Sequence, residues 1–148
     1  MVRRATCTTW ALRRMKAMGV PEATMVDYWK SEGRVMLEYG CPVWHSGLTT
    51  AQSHSLDRAQ RVAMAAITGK WEPSHTRQLA ELGLEQLSAR RTRICKTFSQ
   101  RTATNSRHMD MFTPVNSARR IGTYREIFNR TDTYYKSALP YLTRLLNQ

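Results

Sequence analysis

Six cations occupy a stretch of chain without a carboxylate: Arg90, Arg91, Arg93, Lys96, Arg101 and Arg107 all lie between Glu85 and Asp110. Side chains of this kind at this density attract polyanions, and their chemistry is neutralisation of phosphate rather than bond making. Residues 90–148 hold twelve Lys and Arg against three Asp and Glu, which is nine of the net charge of +12. Arg90, Arg91, Arg93, Lys96 and Arg101 are therefore the candidate nucleic-acid contacts. The plainer alternative is a solvated helix face. Contacts to a phosphate backbone give affinity without sequence selectivity.

Other chemistry finds little support in residue types and spacing. Phosphoryl transfer on two metal ions needs clustered carboxylates, yet Asp27, Asp57, Asp110 and Asp132 stand singly. The chain has no Gly-rich phosphate loop, no HExxH and no nucleophile elbow. Glu38 and His45 have the right side chains for acid or base work, but nothing in the pattern singles them out. Cys41 and His45 have a metal-like spacing without the second pair that structural zinc sites use. No catalytic residue, metal site or cofactor is expected. The three cysteines, Cys7, Cys41 and Cys95, are odd in number and far apart. That favours small apolar packing residues in a reducing compartment over a disulfide framework.

Helical periodicity runs through the elements that must carry these residues. Trp10, Ala11, Arg13, Arg14, Met15 and Met18 form a short helical pattern that Gly19 can cap, with Pro21 opening the next helix. Met25, Val26, Trp29, Met36 and Tyr39 then recur at three to four residues along one face of a long helix. Gly33 weakens its middle by about 1 kcal/mol relative to Ala. Pro42 disfavours helical geometry at Cys41, so a corner is expected there, built from Tyr39, Pro42, Trp44 and Leu48. Thr49 or Thr50 caps a following helix whose packing stripe is Leu56, Ala59, Ala63, Ala66 and Ile67, ended by Gly69. On its other faces Asp57, Arg58 and Arg61 read as solvated residues, with a phosphate-contacting role as the alternative.

Ser74 caps a short helix containing Leu79 and Leu82, and Leu84 and Leu87 lead into the basic helix, which Ile94 and Phe98 can dock on the core. Residues 102–123 are polar and read as a linker. Beyond it Tyr124, Ile127 and Phe128 form an apolar patch. Tyr134 and Tyr135 stand among Arg125, Arg130 and Lys136, an arrangement that favours packing over base stacking. Ser137 and Pro140 open a last helix with Leu142, Leu145 and Leu146 on one face. The expected fold is all-α: an irregular helical bundle of about five to six helices with a loop-rich basic C-terminal part. Residues 1–101 form the bundle, 102–123 the linker, and 124–148 a tail whose short helix docks on the bundle.

At 148 residues and 41% hydrophobic content the chain can bury roughly 68–70% of its unfolded surface as one compact domain. No apolar run approaches the ~20 residues of a membrane-spanning helix, so nucleic acid is preferred to a membrane as the polyanion. Arg13, Arg14 and Lys16 sit where a signal peptide needs its apolar stretch. An intracellular place, nuclear or cytoplasmic, is expected rather than secretion.

Several of these segments resemble one family. Leu12, Arg13 and Arg14; then Leu37, Tyr39, Pro42, Val43, Trp44, Leu48 and Thr49; then Leu56, Gln60, Ala63, Ile67 and Gly69 are similar to the segment that follows the polymerase palm in non-LTR, jockey-like retrotransposon reverse transcriptases. The similarity continues with Leu84, Leu87, Arg90, Arg91, Ile94, Lys96 and Phe98. It ends on Ser137, Leu139, Pro140, Tyr141, Leu142, Thr143, Leu145, Leu146 and Asn147. Departures are Gly33, where an apolar residue is more usual, and Asp57 and Ala59, where Glu and Val are expected. The resemblance implies a helical thumb and post-thumb region, without the fingers and the metal-binding palm. Its implied partners are an RNA/DNA template-primer duplex, held beside the palm during target-primed synthesis, and the palm itself in a full-length protein. It implies no independent enzyme activity. A structural or protein-interaction fragment of a truncated or domesticated element is the alternative.

Overall fold

A computed structural model describes residues 2–115 and 123–148, with the side chains of 2–5 excepted. The fold is an irregular all-α bundle. Its helices are α1 (Val2–Ala17), α2 (Glu22–Tyr28), α3 (Arg34–Glu38), α4 (Cys41–Trp44), α5 (Thr50–Thr68), α6 (His75–Glu81), α7 (Leu87–Thr104), α8 (Asp132–Tyr135) and α9 (Ala138–Leu146). The chain divides into two compact units, Met1–Tyr39 with Thr49–Arg90, and Gly40–Leu48 with Arg91–Gln148. That division differs from the expected bundle, linker and tail. The corner segment belongs with the C-terminal residues, and the expected linker supplies Phe112 to a core. The part of that linker at 116–122 lies outside the described residues.

In the first unit α1 packs along α5, and its anchor is the fully buried Leu12, with Thr8 and Thr9 beside it on the same face. Trp10 and Met18 are exposed; the Arg14 guanidinium lies 5.6 Å from the centre of the Trp10 ring. Between α2 and α3 the chain makes one π-helical turn, Trp29–Gly33. A π turn spends one extra residue without advancing the helix face. The buried series consequently runs Met25, Trp29, Gly33, Leu37, while Met36 is only half-buried and Tyr39 is exposed. Gly33 is demanded by packing, since a Cβ there would stand 2.2 Å from the Trp29 ring. Gly40, at φ +64°, ends the run. Pro42 is not the break; it lies in the first turn of α4, where its missing N–H is harmless.

Thr49 caps α5 reciprocally: its hydroxyl accepts from the Gln52 N–H at 3.2 Å while its own N–H donates to Gln52 Oε1 at 2.9 Å. The buried stripe of α5 is Leu56, Gln60, Ala63, Met64 and Ile67. Gln60 replaces the expected Ala59 because its amide is satisfied at both ends. Nε2 donates to the Glu85 carbonyl at 3.0 Å and Oε1 accepts from the Leu87 N–H at 3.3 Å. One buried side chain thus holds the chain entering α7 and pairs an N–H that the helix itself leaves over. Arg61 is likewise not simply solvated. Its Nη2 donates to the carbonyls of Glu72 and Pro73, at 3.1 and 2.7 Å, and holds the connection to α6. Ser74 caps α6 as expected.

The second unit has its own core: Cys41, Cys95, Phe112, Leu142 and Leu145, with Trp44, Ile94, Ala103, Tyr124, Tyr141 and Leu146 packed against it. Cys41 and Cys95 are buried, but Cys7 is exposed, contrary to its expected packing role. The Cys41 thiol hydrogen-bonded to it, together with burial, pushes the Cys95 thiol up, which makes it inert at neutral pH. The main chain of 113–115 runs antiparallel to that of 123–125, the Arg125 N–H donating to the Thr113 carbonyl at 2.7 Å. Asn147 closes this unit: its Oδ1 accepts from the Tyr124 N–H at 3.0 Å and its Nδ2 donates to the Tyr124 carbonyl at 2.9 Å. Tyr134 and Tyr135 are exposed rather than packed in a core, though Arg144 lies 3.8 Å from the centre of the Tyr135 ring. Phe128, expected in an apolar patch, is exposed as well.

Candidate nucleic-acid interface

The five basic residues proposed from sequence do not share one environment. α7 begins at Leu87 in the first unit, and its residues from Arg91 on belong to the second. Its buried positions are Leu87, Arg91, Cys95 and Ser99, spaced by four and so stacked on one face. Ile94 flanks that face; Phe98, expected to dock, is 45% exposed.

Arg90 and Arg91 are thereby removed from the candidate interface. Arg90 Nε lies 2.6 Å from Glu38 Oε1, and Arg34 Nε approaches the same oxygen at 3.9 Å. Glu38 is a structural counter-ion, with its side chain only 9% exposed, and not an acid or base at a site. Arg91 is fully buried, so no phosphate can reach it in this arrangement. Its Nε–H donates to His45 Nδ1 at 3.4 Å. His45 Nε2 lies 3.3 Å from Thr92 Oγ1. With Nδ1 accepting, the ring proton sits on Nε2, which donates to Thr92. Tyr141 meets the His45 ring edge-on at 5.8 Å. Burial, reinforced by the Arg91 charge, holds His45 below the ordinary histidine range, so the imidazole is neutral at pH 7.

Arg93, Lys96 and Arg101 remain. Arg93 and Arg101 are exposed and Lys96 half-buried; Arg93 and Lys96 are i,i+3 neighbours, and Arg101 lies about 140° around α7 from Lys96. Lys96 and Arg101 enter no ion pair among the described residues. Arg107, just beyond the helix, is exposed as well. Of the corner residues, Trp44 joins the second unit's core, Pro42 and Leu48 are half-buried, and Tyr39 is 77% exposed. Among them Trp44, itself partly buried, packs against that core.

Among the described residues no group of three or more His, Cys, Asp and Glu is placed to hold a metal ion, and no helix is long and apolar enough to cross a membrane. Cys41 is taken up by packing and His45 by the Arg91–Thr92 chain. No family model, no curated protein and no solved structure matches this chain.

Proposed function

We propose that this chain is a non-catalytic, helical nucleic-acid-binding segment of a non-LTR retrotransposon RNA-directed DNA polymerase, which holds template-primer duplex through its phosphate backbone. The observation that carries the binding is that Arg93 and Arg101 are exposed and Lys96 half-buried along α7, spread over about 140° of the helix away from its buried positions. From Arg93 to Arg101 this row covers about 12 Å at the α-helical rise, long enough to lie along several successive phosphates of one strand. The family origin rests on the motif resemblance set out above.

The test is affinity for a short RNA–DNA duplex across a salt series. Replacing Arg93, Lys96 and Arg101 with Ala should weaken binding. It should also flatten the slope of log K against log salt, by about 2.7 on a B-form DNA duplex measured in parallel, three phosphates at ~0.9 each. An unchanged slope in the triple variant rules out this interface. A second reading, a structural or protein-interaction segment, is supported by the exposure of Trp10, Met18, Val35 and Tyr39 in the first unit.

A further inference from the structure

A cleft of about 570 Å³ in the first unit is lined by His54, Asp57, Arg58, Arg61, Trp71 and His75 among others. The volume is that of a small-molecule site, and the lining is neither purely apolar nor a simple charge patch. Trp71 supplies an indole that is 58% exposed, held by the Arg61 guanidinium 4.7 Å from the ring centre. Arg61 is itself fixed by its bonds to the Glu72 and Pro73 carbonyls, so the aromatic platform is preorganised. The exposed part of the indole offers a flat surface on which another planar group can stack.

The polar groups beside it have unspent hydrogen-bonding capacity. Asp57 Oδ1 and both ring nitrogens of His75 are closed to solvent and have no partner among the described residues. Buried polar atoms are normally paired. Burial first, and then Arg61, hold His75 below the ordinary histidine range, against a raising effect of Asp57. A neutral His75 has one N–H donor and one acceptor nitrogen, and Asp57 adds an acceptor. Arg58, exposed on the same cleft, supplies a mobile cation.

We propose that this cleft binds a single nucleotide, its base stacked on Trp71 and its phosphate met by Arg58, with Asp57 and His75 reaching the base edge only after a side-chain rotation that opens their enclosed polar atoms to the cleft. Two sources offer that chemistry: a free nucleoside monophosphate, and an unpaired nucleotide at the end of a strand. The site uses none of the α7 cations. Failure of backbone binding would leave a mononucleotide titration of the cleft intact, and the two readings fail separately.

The experiment uses the full chain with an isotope-labelled Trp side chain, the Trp71 indole N–H being assigned by its loss in Trp71→Phe. Adenosine and uridine monophosphate are titrated first; a saturable shift of that signal, reduced by Arg58→Gln, supports the site and identifies the free nucleotide as a ligand. A blunt RNA–DNA duplex is then compared with the same duplex carrying a short single-stranded extension. Trp71→Ala should lower affinity for the extended duplex by roughly 5- to 150-fold, the range for loss of one stacked base, and leave the blunt duplex unchanged. Trp71→Phe should restore most of the loss, which a merely structural role for an exposed indole would not require. If no monophosphate shifts the signal and Trp71→Ala treats both duplexes alike, the proposal is overturned. A shift produced equally by an acidic peptide overturns it too, in favour of a general anion cleft.

Discussion

Arg90 Nε and Glu38 Oε1 meet at 2.6 Å although fifty-two positions separate them in sequence. The pair accounts for the charge of Arg90 before any phosphate can, and it sets Arg90 apart from the exposed basic residues of α7. Arg90→Ala leaves a nearly buried carboxylate with only Arg34, at 3.9 Å. The expected cost is about 1–3 kcal/mol of stability, read as a lower urea midpoint, with no change in the salt slope of nucleic-acid binding. Arg93→Ala should do the reverse. A variant of Arg90 that flattened the salt slope while keeping its stability would return this residue to the interface.

Gly33→Ala places a methyl 2.2 Å from the Trp29 ring, and the indole is fully buried with nowhere to retreat. Overpacking of this kind costs about 1–3 kcal/mol, the opposite sign from the usual gain when Gly becomes Ala in a helix. Thermal unfolding followed by circular dichroism decides the sign. A more stable Gly33→Ala protein would show that the π turn relaxes to an α turn without penalty.

Gln60→Ala leaves the Leu87 N–H and the Glu85 carbonyl without their partner, and should destabilise by about 1–3 kcal/mol. Gln60→Glu is more informative. The carboxyl reproduces both bonds only while it carries a proton, since the Glu85 carbonyl needs a donor. Burial without a cation raises the pKa of such a group, so this variant should gain on the native protein as pH falls. Parallel denaturation series at neutral and acidic pH test that crossing.

His45 and His75 both titrate below their ordinary value, each mainly through burial and then through a neighbouring Arg. Between the unfolded value of about 6.5 and the lower folded values, the unfolded chain binds protons that the folded chain does not. Stability therefore rises with pH across that window and is lost as pH drops through it, levelling off below the folded values. Urea midpoints at about pH 7 and pH 5.5 should differ in that direction, and the difference should shrink in His45→Gln and again when His75→Gln is added. A flat profile in the native protein contradicts the burial of both rings.

What could be read from sequence was local. The Thr49 and Ser74 caps and the Leu56, Ala63 and Ile67 stripe depend on residues a few positions apart, and all are observed. Gln60 was missed because a buried amide is intelligible only with its partners, twenty-five and twenty-seven positions away. Arg91 escaped for the same reason: alone it is a cation, and only His45 and the surrounding burial make it structural. The basic row was legible as composition, but which of its members face outward depended on the phase of α7, set by Leu87 and Cys95. The cleft beside Trp71 left one faint sign, an Arg ten residues before an exposed Trp, which no spacing rule distinguishes from an ordinary loop.

The π turn at Trp29–Gly33 acts as a phase shifter. It contains one residue more than the ladder on either side needs, so a single deletion within Lys30–Glu32 could be absorbed by reverting to an ordinary turn. The same deletion in α5 would rotate everything after it by about 100°. A shortening of the chain is therefore better tolerated here than inside α5.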